Sequence, residues 1–257
     1  MDGTLLDDEG NVSDGNARVI DESGIPFTLV SARAPMEMAA AIDKLHLTDA
    51  QIGFNGGLIY KKNEAGVKIL KDDPLNNETI SKILTIIKDK FPKVSCSYYD
   101  LNNWYTEKID DGIKYESSIT GQKPTIANLD NLTGKVIYKV MLIIFDAEEI
   151  VALNQILLDA KFTDISMKRS GGSYLEITSK GAQKSKGIQY IKDLEDLKTE
   201  EMAAFGDGHN DLPMLTSVGL PIVMENALPE IKPYGKFITK TNVEDGVAYG
   251  IKKYLDI

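Results

Sequence analysis

Apolar residues in this chain fall into short runs and helical stripes that alternate, and a block in the middle breaks the alternation. Residues 26–31 (Pro-Phe-Thr-Leu-Val-Ser) form a continuous apolar run ending in a hydroxyl, as a buried strand does. Residues 35–45 carry Met38, Ala41, Ile42 and Leu45 at helical spacing. A short strand is predicted at 52–54, followed by Asn55-Gly56-Gly57 and a hairpin of 58–60 with 67–70. Residues 14–22 are polar and short for a helix.

After a polar, proline-containing link at 72–77 the order changes. A helix is predicted over 77–91, with Ile80, Ile83, Leu84 and Ile87 on one face. Residues 94–99 and 104–109 read as strands, 111–132 show no clear period, and 136–145 read as a strong strand. A helix over 148–160 and strands at 164–168 and 174–178 complete an α+β block, closed by a second polar link at 179–183. Simple alternation then resumes: helix 185–197, strand 202–205, strand 220–223, short helix 228–232, strand 236–239 and helix 243–255. The fold class this predicts is α/β, a doubly wound, mostly parallel Rossmann-like core with an inserted α+β domain. The core is expected over 1–77 and 182–257 and the insertion over 78–181, hinged at the two links.

Composition narrows the function. A net charge of −10 over 257 residues argues against nucleic acid or an anionic membrane as the main partner. It leaves room for an anionic small molecule, because a local metal ion and lysine outweigh the global field. Cys96 is the single cysteine, so an intrachain disulfide and a cysteine metal cluster are both excluded. No apolar run reaches membrane-spanning length and the N-terminus does not read as a signal peptide, so a cytoplasmic location is expected. A monomer or weak homodimer is the expected assembly.

The chemistry concentrates at 205–211, Phe-Gly-Asp-Gly-His-Asn-Asp, where a strand turns into a helix. In an open α/β sheet this edge is where ligands bind. Asp207 and Asp211 would repel each other unless a cation or a positive side chain stands between them, and oxygen-only ligands suit Mg²⁺. A strand-to-helix turn with Asp211 as N-cap is the plainer reading. Three further polar points fall at strand ends or helix starts: Asp2, Ser31 and Lys184. Each has a plainer reading too, Asp2 in a turn, Ser31 as a helix cap and Lys184 as a solvated lysine near Lys180 and Lys186. As a set, a hydroxyl, a lysine and carboxylates with a metal suit phosphoryl transfer.

Together these residues resemble the haloacid dehalogenase-like phosphatases, in particular the Cof-type sugar-phosphatase group with a large α/β cap. Met1-Asp2-Gly3-Thr4-Leu5-Leu6 is similar to the family's Asp-x-Asp-Gly-Thr-Leu-Leu motif from its second residue onward. Leu29 to Arg33, Gly181 to Lys184 and Gly206 to Asp211 resemble its second, third and fourth motifs, and Asn55-Gly56-Gly57 and Glu225-Asn226-Ala227 resemble recurrent family segments. The resemblance implies a Mg²⁺-dependent phosphatase acting on a small phosphorylated metabolite, most plausibly a sugar phosphate, through an aspartyl-phosphate, with the cap closing over the site and choosing the substrate. Asp2 would be the general acid and base and offer its main-chain carbonyl to the metal. Ser31, Lys184 and Asn210 would hold the phosphoryl oxygens, with Lys186 as the alternative to Lys184. Asp207 would ligate Mg²⁺, and Asp211 would support that site. His209 would have no catalytic role. Trp104, Tyr105, Arg169 and Tyr174 are candidate cap contacts, although core packing explains the aromatics equally well. The family's nucleophile would immediately precede Met1. A natural protein beginning upstream with an apolar strand that ends in Asp is therefore expected. A phosphomutase, or a pseudo-phosphatase that binds a phosphometabolite without turning it over, are the alternatives.

Overall fold

The computed structural model describes residues 1–63 and 66–255. The chain forms two compact units: Met1–Ala32, Met38–Leu70 and Gln183–Ile257 make the first, Arg33–Glu37 and Lys71–Ala182 the second.

The first unit opens with a tight turn in which the Met1 carbonyl accepts from the N–H groups of Thr4, Leu5 and Leu6. Helix α1 (Asp14–Ser23) follows, where the sequence pattern favoured no helix. Its ends explain it. The Ser13 hydroxyl accepts from Asn16 N, and Gly24 terminates it at φ 64°, so local caps compensate for a weak apolar face. Residues 26–31 do not become a strand of a regular ladder. Only Val30 pairs, in a parallel bridge to Ile52. Helix α2 (Pro35–Lys44) leads to β1 (Gln51–Gly53), β2 (Leu58–Asn63) and β3 (Gly66–Asp72), a three-stranded sheet in that order. Glu64 and Ala65, part of the expected hairpin turn, lie outside the described residues.

The second unit carries α3 (Asn77–Lys90), β4 (Ser95–Tyr99), β5 (Trp104–Thr106), α4 (Asp111–Thr120), β6 (Thr125–Ile126), β7 (Lys139–Ile143), α5 (Ala147–Asp159), β8 (Ile165–Ser170) and β9 (Tyr174–Ser179). Helix α4 occupies part of the stretch without a clear period. Asp110 caps its start by accepting from Ile113 N, and Gly121 ends it at φ 69°. The strand expected over 136–145 is shorter, covering five residues. The six strands form one sheet in the order β6-β5-β4-β7-β9-β8.

Pairing register sorts this sheet into two faces. Tyr98 lies opposite Val140, which lies opposite Ile177, so these three share a face with Leu142 and Leu175. That face packs against Ile80, Ile83, Leu84 and Ile87 of α3 and Ile150, Leu153 and Leu157 of α5. Tyr105 and Met167 join the same apolar cluster. The other face carries Tyr99, Trp104, Lys139, Met141, Glu176 and Thr178.

The chain then completes the first unit. Helix α6 (Lys184–Leu194) leads to β10 (Ala203–Gly206), a short α7 (Leu212–Leu215), β11 (Leu220–Val223), β12 (Phe237–Ile238) and α8 (Gly246–Tyr254). Strands β10, β11 and β12 are parallel and lie in that order. The helix expected at 228–232 is absent. Turns there end in a short 3-10 segment at Lys232–Tyr234, because Pro229 and Pro233 remove the N–H groups a helix needs. Residues 26–30 and 202–205 both line an apolar cavity of about 440 Å³, reached also by Ile188, Met214 and Ile251. Val30 and the outer edge of β10 therefore bound a space into which neither pairs.

Ile83 is 0% exposed in the α3 contact with the sheet. Ile83→Ala should lower unfolding free energy by about 2–5 kcal/mol, by lost transfer energy plus a cavity, read from urea midpoints.

Candidate active site

The carboxyl ends of the core strands gather the polar residues. Gly206 ends β10, and the chain turns through Asp207, Gly208 and a 3-10 segment at His209–Asp211 before α7. Asp211 stands at the N-cap position of α7, but its side chain makes no cap bond to that helix. It folds back instead: Oδ2 accepts from the N–H groups of Asp207 and Gly208, both at 3.1 Å. Its Oδ1 accepts from Lys184 Nζ at 2.7 Å. The two side chains are 5% and 8% exposed, so this is a buried ion pair with its carboxylate oxygens also hydrogen-bonded. Burial pushes the Asp211 carboxyl up, but Lys184 and the Gly208 N–H outweigh it and hold the group below its usual range. Gly206 is required by the fold-back, since a Cβ there would stand 2.7 Å from Asp211 Cβ.

Asp207 is less well compensated. Its Oδ1 accepts from Thr4 Oγ1 at 2.5 Å. Burial first, then the Asp211 charge, raise its carboxyl above the usual range despite Thr4 and Lys184. Gly3, at φ 67°, lies so close to the Asp207 carboxylate that a Cβ would collide with it. The Gly3 carbonyl is held by Asn226 Nδ2 at 2.7 Å, and Asn226 Oδ1 takes the Asn242 N–H at 3.1 Å. Asn242 Nδ2 in turn holds the Leu6 carbonyl at 2.9 Å. Asp2 is exposed on this turn, and its charge acts on the buried main-chain nitrogen of Met1 together with Lys184, Asp207 and Asp211.

Ser31 is 2% exposed and held through its backbone. Its N–H donates to Ile52 O at 2.9 Å, and its carbonyl accepts from Asn55 N at 2.8 Å. The Asn55–Gly56 turn then meets the start of α6. Gly56 sits at φ 101°, and a Cβ there would run into the Gln183 backbone, one residue before Lys184. Ser31 and Lys184 are thus tied by one tight turn. Lys186 is exposed, whereas Lys184 is buried. Asn210 is half-buried on the 3-10 segment, and His209 is exposed beside Glu230.

One lysine therefore faces several carboxylates, and Asp207 keeps an oxygen beside Gly3 rather than an ammonium. The donor set fits a hard divalent cation that retains several waters, with Asp207 as the charged ligand. Asp211 is committed to Lys184 and two N–H groups and so positions the turn. Among the described residues no group of three or more His, Cys, Asp or Glu side chains gathers as a closed metal cage. Sequence reasoning missed Thr4 and Asn242 and gave Asn226 no task. Only their place inside quoted motifs or turns could have signalled them.

Comparison with known proteins bears on this geometry. Residues 1–251 match the family described as haloacid dehalogenase-like hydrolase. A Haemophilus influenzae protein described as "Putative phosphatase" is 33% identical over 252 residues, covering 96% of this chain and 93% of its own. A Bacillus subtilis 5-amino-6-(5-phospho-D-ribitylamino)uracil phosphatase is 27% identical, covering 99% of this chain and 96% of its own. Among solved structures, a haloacid dehalogenase-like hydrolase from Bacteroides thetaiotaomicron superposes with a TM-score of 0.89 at 26% identity, covering 98% and 96% of the two chains.

The buried pair predicts a pH-dependent stability. Because the folded-state carboxyl of Asp211 lies below its ordinary value, the pair's contribution is present above that value and is lost as pH falls through the lower, folded one. In chelator at neutral pH, Lys184→Met should cost about 3–5 kcal/mol, since it strands a buried carboxylate. The gap between parent and variant should narrow as the solution is acidified through the usual aspartate range. Urea unfolding at neutral and acid pH checks this, and a gap independent of pH would contradict the pair's role.

Proposed function

Given that the chain belongs to the haloacid dehalogenase-like hydrolases, we propose that it is a Mg²⁺-dependent phosphatase that hydrolyses a small phosphorylated metabolite, a sugar or sugar-alcohol phosphate. The observation that carries the reading is the buried lysine–carboxylate pair at the end of β10, next to a second carboxylate held by Thr4. The relative named for a ribitylamino-uracil phosphate is consistent with a polyol ester as substrate.

In this reading Ser31, Lys184 and Asn210 bind the phosphoryl oxygens. The Lys184 ammonium is already fixed by Asp211, so little reorganisation accompanies the reaction. Mg²⁺, held by Asp207 and the Asp2 carbonyl with Asp211 in support, would neutralise phosphoryl charge. In this reading an aspartate carboxylate attacks phosphorus. The carboxylate forms a bond to phosphorus while the ester oxygen leaves, taking a proton from Asp2. Asp2, now ionised, removes a proton from water, and that water displaces the phosphate from the carboxylate. The inserted domain, taken over 78–181 and lying within the second unit, supplies substrate choice.

Three measurements test the assignment. Asp207→Asn should weaken Mg²⁺ binding with little effect on folding, and an unchanged Mg²⁺ dependence of turnover would remove Asp207 from the metal site. Lys184→Ala should lose more activity than Lys186→Ala, by roughly ten- to a thousandfold, because only the former is buried in the site. A protein with aspartate directly before Met1 should release inorganic phosphate from a sugar phosphate, and one with asparagine there should not. Phosphate that moves to another position on the sugar instead of being released would favour a mutase.

A further inference from the structure

Two neighbouring strand ends of the first unit grip two consecutive residues of the N-terminal turn. Asp207, directly after β10, accepts from the Thr4 hydroxyl at 2.5 Å. Asn226, in the loop after β11, donates from Nδ2 to the Gly3 carbonyl at 2.7 Å. Strands β10 and β11 are parallel, with Gly206 level with Val223, so both grips come from the same edge of the sheet. All of these residues belong to the first unit.

Asn226 is held ready for this bond. It sits in a tight turn closed by the Ala227 N–H on the Met224 carbonyl at 3.1 Å. Met224 is 0% exposed, and its N–H donates to the Gly206 carbonyl at 3.0 Å, which roots the turn where the Asp207 turn begins. The amide has one workable orientation. The Asn242 N–H can only donate, so the atom facing it at 3.1 Å is the oxygen. The nitrogen is left for the Gly3 carbonyl, which can only accept.

Stability alone does not account for the bond. Asn226 is exposed, and there a hydrogen bond replaces one to water and contributes little. The turn has other ties: the Met1 carbonyl collects three N–H groups, and the buried Asn242 side chain holds the Leu6 carbonyl. What the Asn226 bond adds is direction. Gly3, at φ 67°, joins Asp2 to the fastened part of the turn and has no side chain to limit its rotation. Fixing its carbonyl fixes the frame from which Asp2 projects.

We infer that Asn226 is a positioning residue for the phosphoryl transfer. By holding the Gly3 carbonyl it aims the Asp2 carboxyl at the departing ester oxygen and the Asp2 main-chain carbonyl at the cation. The inference rests on the phosphatase reading and adds a residue that acts through Asp2, without touching substrate or metal.

The test compares two monoesters. The alcohol oxygen of sorbitol phosphate must be protonated as it leaves, whereas nitrophenolate leaves without a proton. In the form with aspartate directly before Met1, Asn226→Ala should lower kcat/KM for sorbitol phosphate by about ten- to a hundredfold, the cost of misplacing a general acid by roughly 1 Å. The loss for nitrophenyl phosphate should be much smaller. Asn226→Asp keeps the side-chain shape and the acceptor for Asn242 but cannot donate to Gly3, and it should show the same selective loss. An equal loss on both esters, no loss on either, or full activity of Asn226→Asp on sorbitol phosphate would overturn the inference. If the parent hydrolyses neither ester, the phosphatase reading fails on its own. A Mg²⁺ titration followed by the backbone amide NMR signals of Gly3 and Asp207 then decides the positioning claim. A midpoint raised about tenfold or more in Asn226→Ala supports it, and an unchanged midpoint, or no saturable shift in the parent, refutes it.

Discussion

The first unit is organised around one buried ion pair, Lys184 with Asp211. Burying two charges costs several kcal/mol per ion unless the geometry is good and the remaining lone pairs are satisfied. Here they are. The lysine meets one carboxylate oxygen and two backbone N–H groups meet the other. That requirement dictates the neighbours. Gly206 leaves room for the carboxylate to fold back, and Gly56 lets the turn after β1 press on Gln183 so that α6 starts with its lysine inside. Asp207 is left at the rim of this arrangement, turned toward Thr4 and Gly3. A stable pair thus presents a second carboxylate that the protein alone does not neutralise, which is the condition for holding a hard cation.

Much of this was legible in the sequence because the signals are local. Asp207, Asp211 and Lys184 lie where a short apolar run or a link meets a helix, and the stripes of α3 and α5 are strongly periodic. The misreadings have common physical origins. Helices α1 and α4 depend on Ser13, Asp110 and left-handed glycines more than on an apolar stripe, so period alone did not find them. The run at 26–31 has strand composition but only one bridging residue, because pairing is a property of the neighbour as well as of the run. Thr4 and Asn226 act across more than 200 residues, and no spacing rule reports such a contact.

The six-stranded sheet shows what alternation can hide. Tyr98 and Tyr99 are adjacent and both buried, yet one faces the α3 and α5 side chains and the other carries the Lys139 ammonium. In sequence the two are equivalent aromatics. Pairing register separates them, and it places Trp104 with the polar face and Tyr105 with the apolar one. Burial alone would have assigned both faces to the core. The distinguishing mark is the company of charged groups.

The amide relay from Gly3 through Asn226 to Asn242 and back to Leu6 also bears on how the protein comes into being. It joins the first residues to some of the last, and Asn16 on α1 likewise accepts from Ala248 N on α8. During synthesis, residues 71–182 emerge as one continuous stretch and can collapse around their own apolar cluster, apart from the short segment Arg33–Glu37. The N-terminal turn cannot be fastened until Asn242 has left the ribosome, nor α1 joined to α8 until Ala248 has. At ordinary translation rates of about 5–20 residues per second, the 66 residues from 183 to 248 (248 − 182) impose a wait of roughly 3–13 s. Throughout that interval the face of α1 that packs against α8 is uncovered and open to other chains. The nascent protein therefore has a window of vulnerability set by topology, and chaperone demand should track the time between the second unit and the final helix rather than the length of the whole chain.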